Sequence, residues 1–254
     1  MKETALKLQD KTIFLTGPFN GITQAILRTM TEFGADIAYV SDHSPHASRY
    51  VDGINEAREV HPYYGRAAFL NFPVNRPEDT KEALAKMAET FGRMDVLIDA
   101  NPLAWSKESC GNGLKTSDRL AEEVLPFLKA KQRGRIVFIY EDASLDGLVK
   151  TESIGDEART QLLSQIQKLA TKTQSDNVTV NALALGVTED FILRHFPQNG
   201  SIRKCLEELQ NSHPQLKLVE SSEVALGAAY LASALCASLT GQVLHLTHGF
   251  HLKT

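Results

Sequence analysis

Apolar and polar positions along this chain follow two alternating periods. Short runs dense in apolar and β-branched residues read as buried strands: Thr12–Thr16, Ala35–Val40, Ala67–Leu70, Asp95–Ile98, Ile136–Tyr140, Val178–Leu185 and Val243–Leu246. Between them apolar positions recur every three or four residues. Ile22, Ile26, Leu27, Met30 and Phe33 share one helical face, and similar spacing predicts helices over Glu78–Phe91, Leu120–Lys131, Glu157–Thr173 and Ser222–Leu235. Ile202, Leu206 and Leu209 predict a further short amphipathic helix, suited to packing. Strands separated by single helices pair in parallel through right-handed crossovers, so the expected fold is α/β with a doubly wound parallel sheet. No repeat, linker or low-complexity stretch divides residues 1–254, which read as one domain.

Composition narrows the class of protein. With 254 residues, 43% of them hydrophobic, the chain can bury one substantial core. A net charge of −4 with interspersed signs gives no basic footprint, so neither nucleic acid nor a membrane surface is an expected partner. Residues Met1–Asp10 lack the apolar stretch of a signal peptide. No apolar run approaches the roughly 20 residues that span a bilayer. Cys110, Cys205 and Cys236 are few and widely spaced, which suits a reducing, cytoplasmic setting. The eight histidines, His43 and His195 among them, show no metal-ligand spacing, and no metal is expected. His245 and His248 could meet across a turn after the last strand.

The first chemical signal is Thr16-Gly17-Pro18-Phe19-Asn20-Gly21-Ile22-Thr23, placed where a strand turns into a helix. Glycines there permit a tight turn, and a helix N-terminus can hold a pyrophosphate. The segment resembles the Thr-Gly-x-x-x-Gly-Ile-Gly turn of the short-chain dehydrogenase/reductases. The resemblance continues through Asp99-Ala100-Asn101-Pro102, Leu185-Gly186 and the closing Thr240-Gly241-Gln242-Val243-Leu244. It implies a single-domain Rossmann-type sheet and a cofactor site at Gly17, Phe19, Gly21, Ile22, Asp42, Asn101 and Val187. Asp42, after the second strand, favours NAD(H) over NADP(H) for any dinucleotide that binds; whether one binds is left open. Several positions depart from the family pattern. Thr23 replaces its last turn glycine, where a Cβ would push the helix from the strand or cover part of the phosphate site. Pro18 and Phe19 stiffen and crowd the loop. Pro73 stands in place of an adenine-reading Asp, while Pro102 and Leu185 replace residues beside the nicotinamide.

The same resemblance locates the catalytic positions. The family carries Ser at the end of its fifth strand, then Tyr-x-x-x-Lys opening the next helix. Here Glu141 stands in the Ser place, Gly155 in the Tyr place and Arg159 in the Lys place. Glu141 and Arg159 are therefore the candidate catalytic residues, Glu141 as a base; the structural alternative is a carboxylate paired with Arg159 or with solvent. Tyr140 faces the other side of the sheet by strand alternation. Asn112 lies near the family's catalytic Asn, but Gly111 and Gly113 read as loop, and the path from Pro102 to Leu120 is short by roughly three helical turns. Residues 189–220, rich in Phe and Leu, correspond to the family's substrate lid. Together the departures imply a noncatalytic or regulatory binding protein for a small molecule or protein partner, forming a homo-oligomer or pairing with an active relative. The alternatives are an NAD(P)-dependent oxidoreductase of a carbonyl or acyl substrate with a relocated proton donor, or a cofactor-free lyase of the halohydrin-dehalogenase type, which Arg159 fits.

Overall fold

Strand alternation sorts the apolar side chains into two layers. Along β1 (Thr12–Thr16), Ile13 and Leu15 enter one core with Ile26 and Met30, while Phe14 enters the other with Leu97 and Phe138. The structure, a computed structural model, describes residues 6–42, 44–106, 108–130, 133–142, 145, 148, 156–197 and 201–252. Seven strands form one sheet: β1, β2 (Asp36–Ser41), β3 (Ala67–Asn71), β4 (Val96–Asp99), β5 (Arg135–Glu141), β6 (Thr179–Leu185) and β7 (Val243–Leu246). Their order is β3-β2-β1-β4-β5-β6-β7, and every pairing is parallel. The expected doubly wound α/β sheet is present.

Helices α1 (Gly21–Glu32), α2 (Pro45–Val60) and α8 (Ser221–Ala232) cover one face, and α3 (Pro77–Phe91), α4 (Cys110–Lys129) and α5 (Asp156–Thr173) cover the other. Each fully buried Leu, Ile or Phe in these layers contributes roughly 1.5–3 kcal/mol of transfer free energy. Two short helices, α6 (Glu189–His195) and α7 (Ile202–Ser212), make a third cluster with Phe191, Ile192, Cys205 and Leu216. Among the described residues, no helix is long and apolar enough to cross a membrane.

Three elements differ from the sequence expectation, α6 among them, which no apolar periodicity announced. Helix α2 was not anticipated: only Ala47, Val51 and Ile54 of its sixteen residues are buried, too sparse a stripe to reveal a helix. Ser44 caps it by accepting from the Ala47 amide, and Pro45 takes the first turn, where its missing N–H costs nothing. Helix α4 starts at Cys110, ten residues before the predicted Leu120, and so absorbs Gly111-Asn112-Gly113. A helix needs no side chain where another ring occupies the space, and at Gly113 any Cβ would lie 2.3 Å from the Trp105 indole nitrogen.

Candidate active site

The strand order reverses between β1 and β4, and ligands of open parallel sheets bind outside the strand carboxyl ends at such a point. Backbones approach closely there. Gly17 has φ +146°, and a Cβ on it would lie 2.8 Å from the Ala100 Cβ, so only glycine fits. The Tyr39 hydroxyl donates to the Gly17 carbonyl at 2.9 Å, and the Asn101 amide donates to the Thr16 hydroxyl at 3.1 Å. Asn101 also donates to the Asp99 carboxylate, from its side chain at 2.8 Å and its backbone at 3.0 Å. Asp99 is fully buried, and its second oxygen has no hydrogen-bond partner among the described residues. Burial pushes its carboxyl above the usual range, against the opposing pull of the nearby Ser117 hydroxyl and of the Asn101 donors.

Thr23 and Phe19 do not obstruct the turn as expected. Thr23 completes a capping box: Asn20 accepts from its amide and donates to its hydroxyl, both at 3.0 Å. The hydroxyl in turn donates to the Pro18 carbonyl at 2.7 Å, leaving Thr23 fully buried with α1 seated on the sheet. The Phe19 ring packs toward Tyr39 and Tyr50, at centroid distances of 6.1 and 5.9 Å. A cleft of about 540 Å³ opens beside the turn, with Gly17, Asp42, Asn101, Trp105 and Asn112 among its lining residues. Gly17, Asp42 and Asn101 of the sequence-derived cofactor set thus share one cavity. Val187 does not line it; it is buried in the third cluster, its carbonyl accepting from the Val219 amide at 2.7 Å. Gly21 and Ile22 open α1, and both their amides donate to the Asp190 carboxylate of α6, at 3.3 and 3.1 Å.

At the carboxyl end of β5, the Glu141 side chain is only 8% exposed. Its carboxylate accepts from Arg194 of α6 at 2.7 Å and lies 3.7 Å from the His195 Nε2. Arg194 also donates to the Leu103 carbonyl, which ties α6 to the turn after β4. The His195 ring packs on Phe191, and its buried Nε2 has no hydrogen-bond partner among the described residues. The structural alternative of a carboxylate paired with Arg159 or with solvent is therefore corrected to one paired with Arg194. Arg159, buried on α5, donates from Nε to the Glu141 backbone carbonyl at 3.1 Å instead. Gly155 lies outside the described residues. Tyr140 points into the opposite core, as alternation predicts, and burial raises its phenol far above the ordinary range.

Sequence reasoning missed Asp190, Arg194 and His195 because nothing local marks them. They reach the site only through the α6 backbone; the available signal was an acidic residue followed, about one turn on, by an adjacent Arg-His pair just after β6. His43 lies outside the described residues. His245 does not meet His248. It stacks on His251 at 4.2 Å and sits 2.6 Å from the Asp142 carboxylate, while His248 pairs with the Leu218 carbonyl at 3.1 Å.

A parallel seven-stranded sheet with a glycine turn at its switch point defines a Rossmann-type dinucleotide-binding fold. The model of the enoyl-(acyl carrier protein) reductase family matches residues 17–251, and the chain belongs to that family of short-chain dehydrogenase/reductases. It is 24% identical to the 3-oxoacyl-(acyl-carrier-protein) reductase FabG of Vibrio cholerae, over 97% of this chain and 100% of that protein. It is 26% identical to the D-beta-hydroxybutyrate dehydrogenase of Rhizobium meliloti, over 94% of this chain and 98% of that protein. The fold matches the crystal structure of levodione reductase with a TM-score of 0.81 at 17% identity, covering 97% and 99% of the two chains. These relatives correct the expectation of a noncatalytic binding protein, because the proteins matched along nearly the whole chain are named as oxidoreductases.

Proposed function

We propose that this chain is a nicotinamide-dependent oxidoreductase of a carbonyl or acyl substrate whose proton-handling group has moved to Glu141. In this reading Glu141, Gly155 and Arg159 stand where the family has its Ser, Tyr and Lys. The observation that carries it is the buried Glu141 carboxylate beside the unbonded His195 Nε2, at the strand end where the family's chemistry is done. The relatives named as reductases of 3-oxoacyl thioesters and dehydrogenases of hydroxybutyrate support the substrate class.

The residues present fit a dinucleotide. Gly17 leaves room for close backbone approach, and the α1 amides already hold an anion, the Asp190 carboxylate. Gly17, Gly21, Ile22, Asp42 and Asn101 would hold it, Asp42 repelling a 2′-phosphate and so selecting NAD(H). A bound nicotinamide supplies or accepts the hydride. Glu141 and His195, 3.7 Å apart, form a pair able to give a proton to a substrate oxygen or take one from it. Arg194 orients the carboxylate, and Arg159 fixes the strand end through the Glu141 carbonyl. The 189–220 segment serves as the substrate lid. In the same reading the protein acts in the cytoplasm and forms a homo-oligomer; Leu226, Tyr230 and Leu235 are apolar side chains left exposed.

The test is turnover of NADH and NADPH with a 3-oxoacyl thioester, and of NAD⁺ with 3-hydroxybutyrate. Saturable, NADH-preferring turnover of a carbonyl substrate is expected. No turnover across a panel of both classes, with no cofactor binding at millimolar concentration, would overturn the reading.

A further inference from the structure

Helix α1 begins with more amide donors than its own cap can use. Asn20 takes the Thr23 amide, which leaves the Gly21 and Ile22 N–H groups facing out of the helix end. In a dinucleotide-binding fold these are the donors a phosphate takes. Here both are taken by one carboxylate, that of Asp190, which comes from α6 across about 170 positions of sequence. The geometry points to Asp190 as a built-in competitor for the cofactor's phosphate: the dinucleotide binds only when the first turn of α6 gives way and Asp190 leaves the α1 amides.

The competition is exclusive, because two anions cannot occupy the same pair of donors and would repel each other across them. Asp190 is not held alone. Four residues further along α6, Arg194 links Glu141 to the Leu103 carbonyl, so one short helix straps both the phosphate seat and the proposed proton-handling carboxylate. Phe191 and Ile192 anchor the strap in the third cluster with Cys205 of α7 and Leu216. Lifting only the first turn of α6 frees the phosphate seat, while Arg194 and His195 at its other end stay beside Glu141 and the cleft lined by Asp42 and Asn101 is already open. In wild type the apparent affinity for a dinucleotide is reduced by the fraction of molecules in which Asp190 is displaced.

This inference rests on the proposed dinucleotide-dependent reading, and its test separates the two. Calorimetry would measure NADH and ADP-ribose binding to the full chain, to Asp190→Ala and to Asp190→Asn, with Glu189→Gln as an exposed neighbour that makes no bond to α1. Hydrogen exchange at the Gly21 and Ile22 amides is the second readout. Asp190→Ala should bind both ligands roughly tenfold tighter, Asp190→Asn should fall between, and Glu189→Gln should match wild type. The two amides should exchange faster in Asp190→Ala and be protected again by ADP-ribose. Unchanged affinities in both Asp190 variants would overturn the competitor and leave the oxidoreductase reading standing. Binding of ADP-ribose, tightened by Asp190→Ala, without binding of any nicotinamide form would keep the competitor and overturn the oxidoreductase reading. Failure of every variant to bind either ligand would overturn both.

Discussion

Replacing Glu141 by Gln separates the residue's structural from its chemical role. The amide keeps the shape and an acceptor for Arg194, 2.7 Å away, but loses the charge. A hydrogen bond to a charged group stabilises by roughly 1.5–3 kcal/mol and a neutral one by about 1 kcal/mol. The Arg194 side chain is 32% exposed, so screening keeps the loss near the lower end, about 1 kcal/mol. For a domain of this size that lowers the melting temperature by roughly 2–4 °C. Loss of a proton-handling group reduces rate by ~10²–10⁴-fold, or about 3–5 kcal/mol in activation free energy. The chemical effect should exceed the structural one several-fold. The assay is kcat/KM for NADH-dependent reduction of a 3-oxoacyl thioester, run beside a thermal melt of the same preparation. A melting temperature down by a few degrees with kcat/KM within about threefold of wild type, below the ~10²-fold of proton-transfer catalysis, would refute the assignment.

Other perturbations reach the surrounding scaffold. Asp99→Asn should stabilise the protein increasingly as pH rises. The buried carboxyl is raised above its unfolded value, so its favourable contribution is complete below about pH 4 and is lost as pH passes through the native value; melts at acidic and neutral pH check the trend. Thr23→Gly removes the capping box and should cost about 1–2 kcal/mol in urea unfolding, although it restores the family's turn sequence. Gly113→Ala places a Cβ 2.3 Å from the Trp105 indole, which should lower stability by about 1–3 kcal/mol and weaken dinucleotide binding in the adjoining cleft, read by denaturation and calorimetry.

The sheet was legible because its strands are buried on both faces and so write themselves as apolar runs; Leu15 and Ile98 have no solvent side to disguise them. Helix α2 was not, since most of its surface meets water and only three of its residues are buried. The start of α4 was misread because Gly111 and Gly113 carry a loop signature, and only the Trp105 ring, brought in by tertiary packing, accounts for a glycine there. At the site, Glu141 could be placed by counting along β5, but its partners could not. Arg194 and His195 lie more than fifty residues further on, and the choice of Arg194 over Arg159 depends on which side of the strand the carboxylate leaves.

Trp105 is the chain's only tryptophan, and it forms part of the cleft wall. Its emission therefore comes from a single place, against the cavity assigned to the dinucleotide. Reduced nicotinamide absorbs where indole emits, so a ligand entering that cavity would drain the indole's excited state by energy transfer. The protein thus carries its own optical gauge of occupancy, read without any label and without turnover.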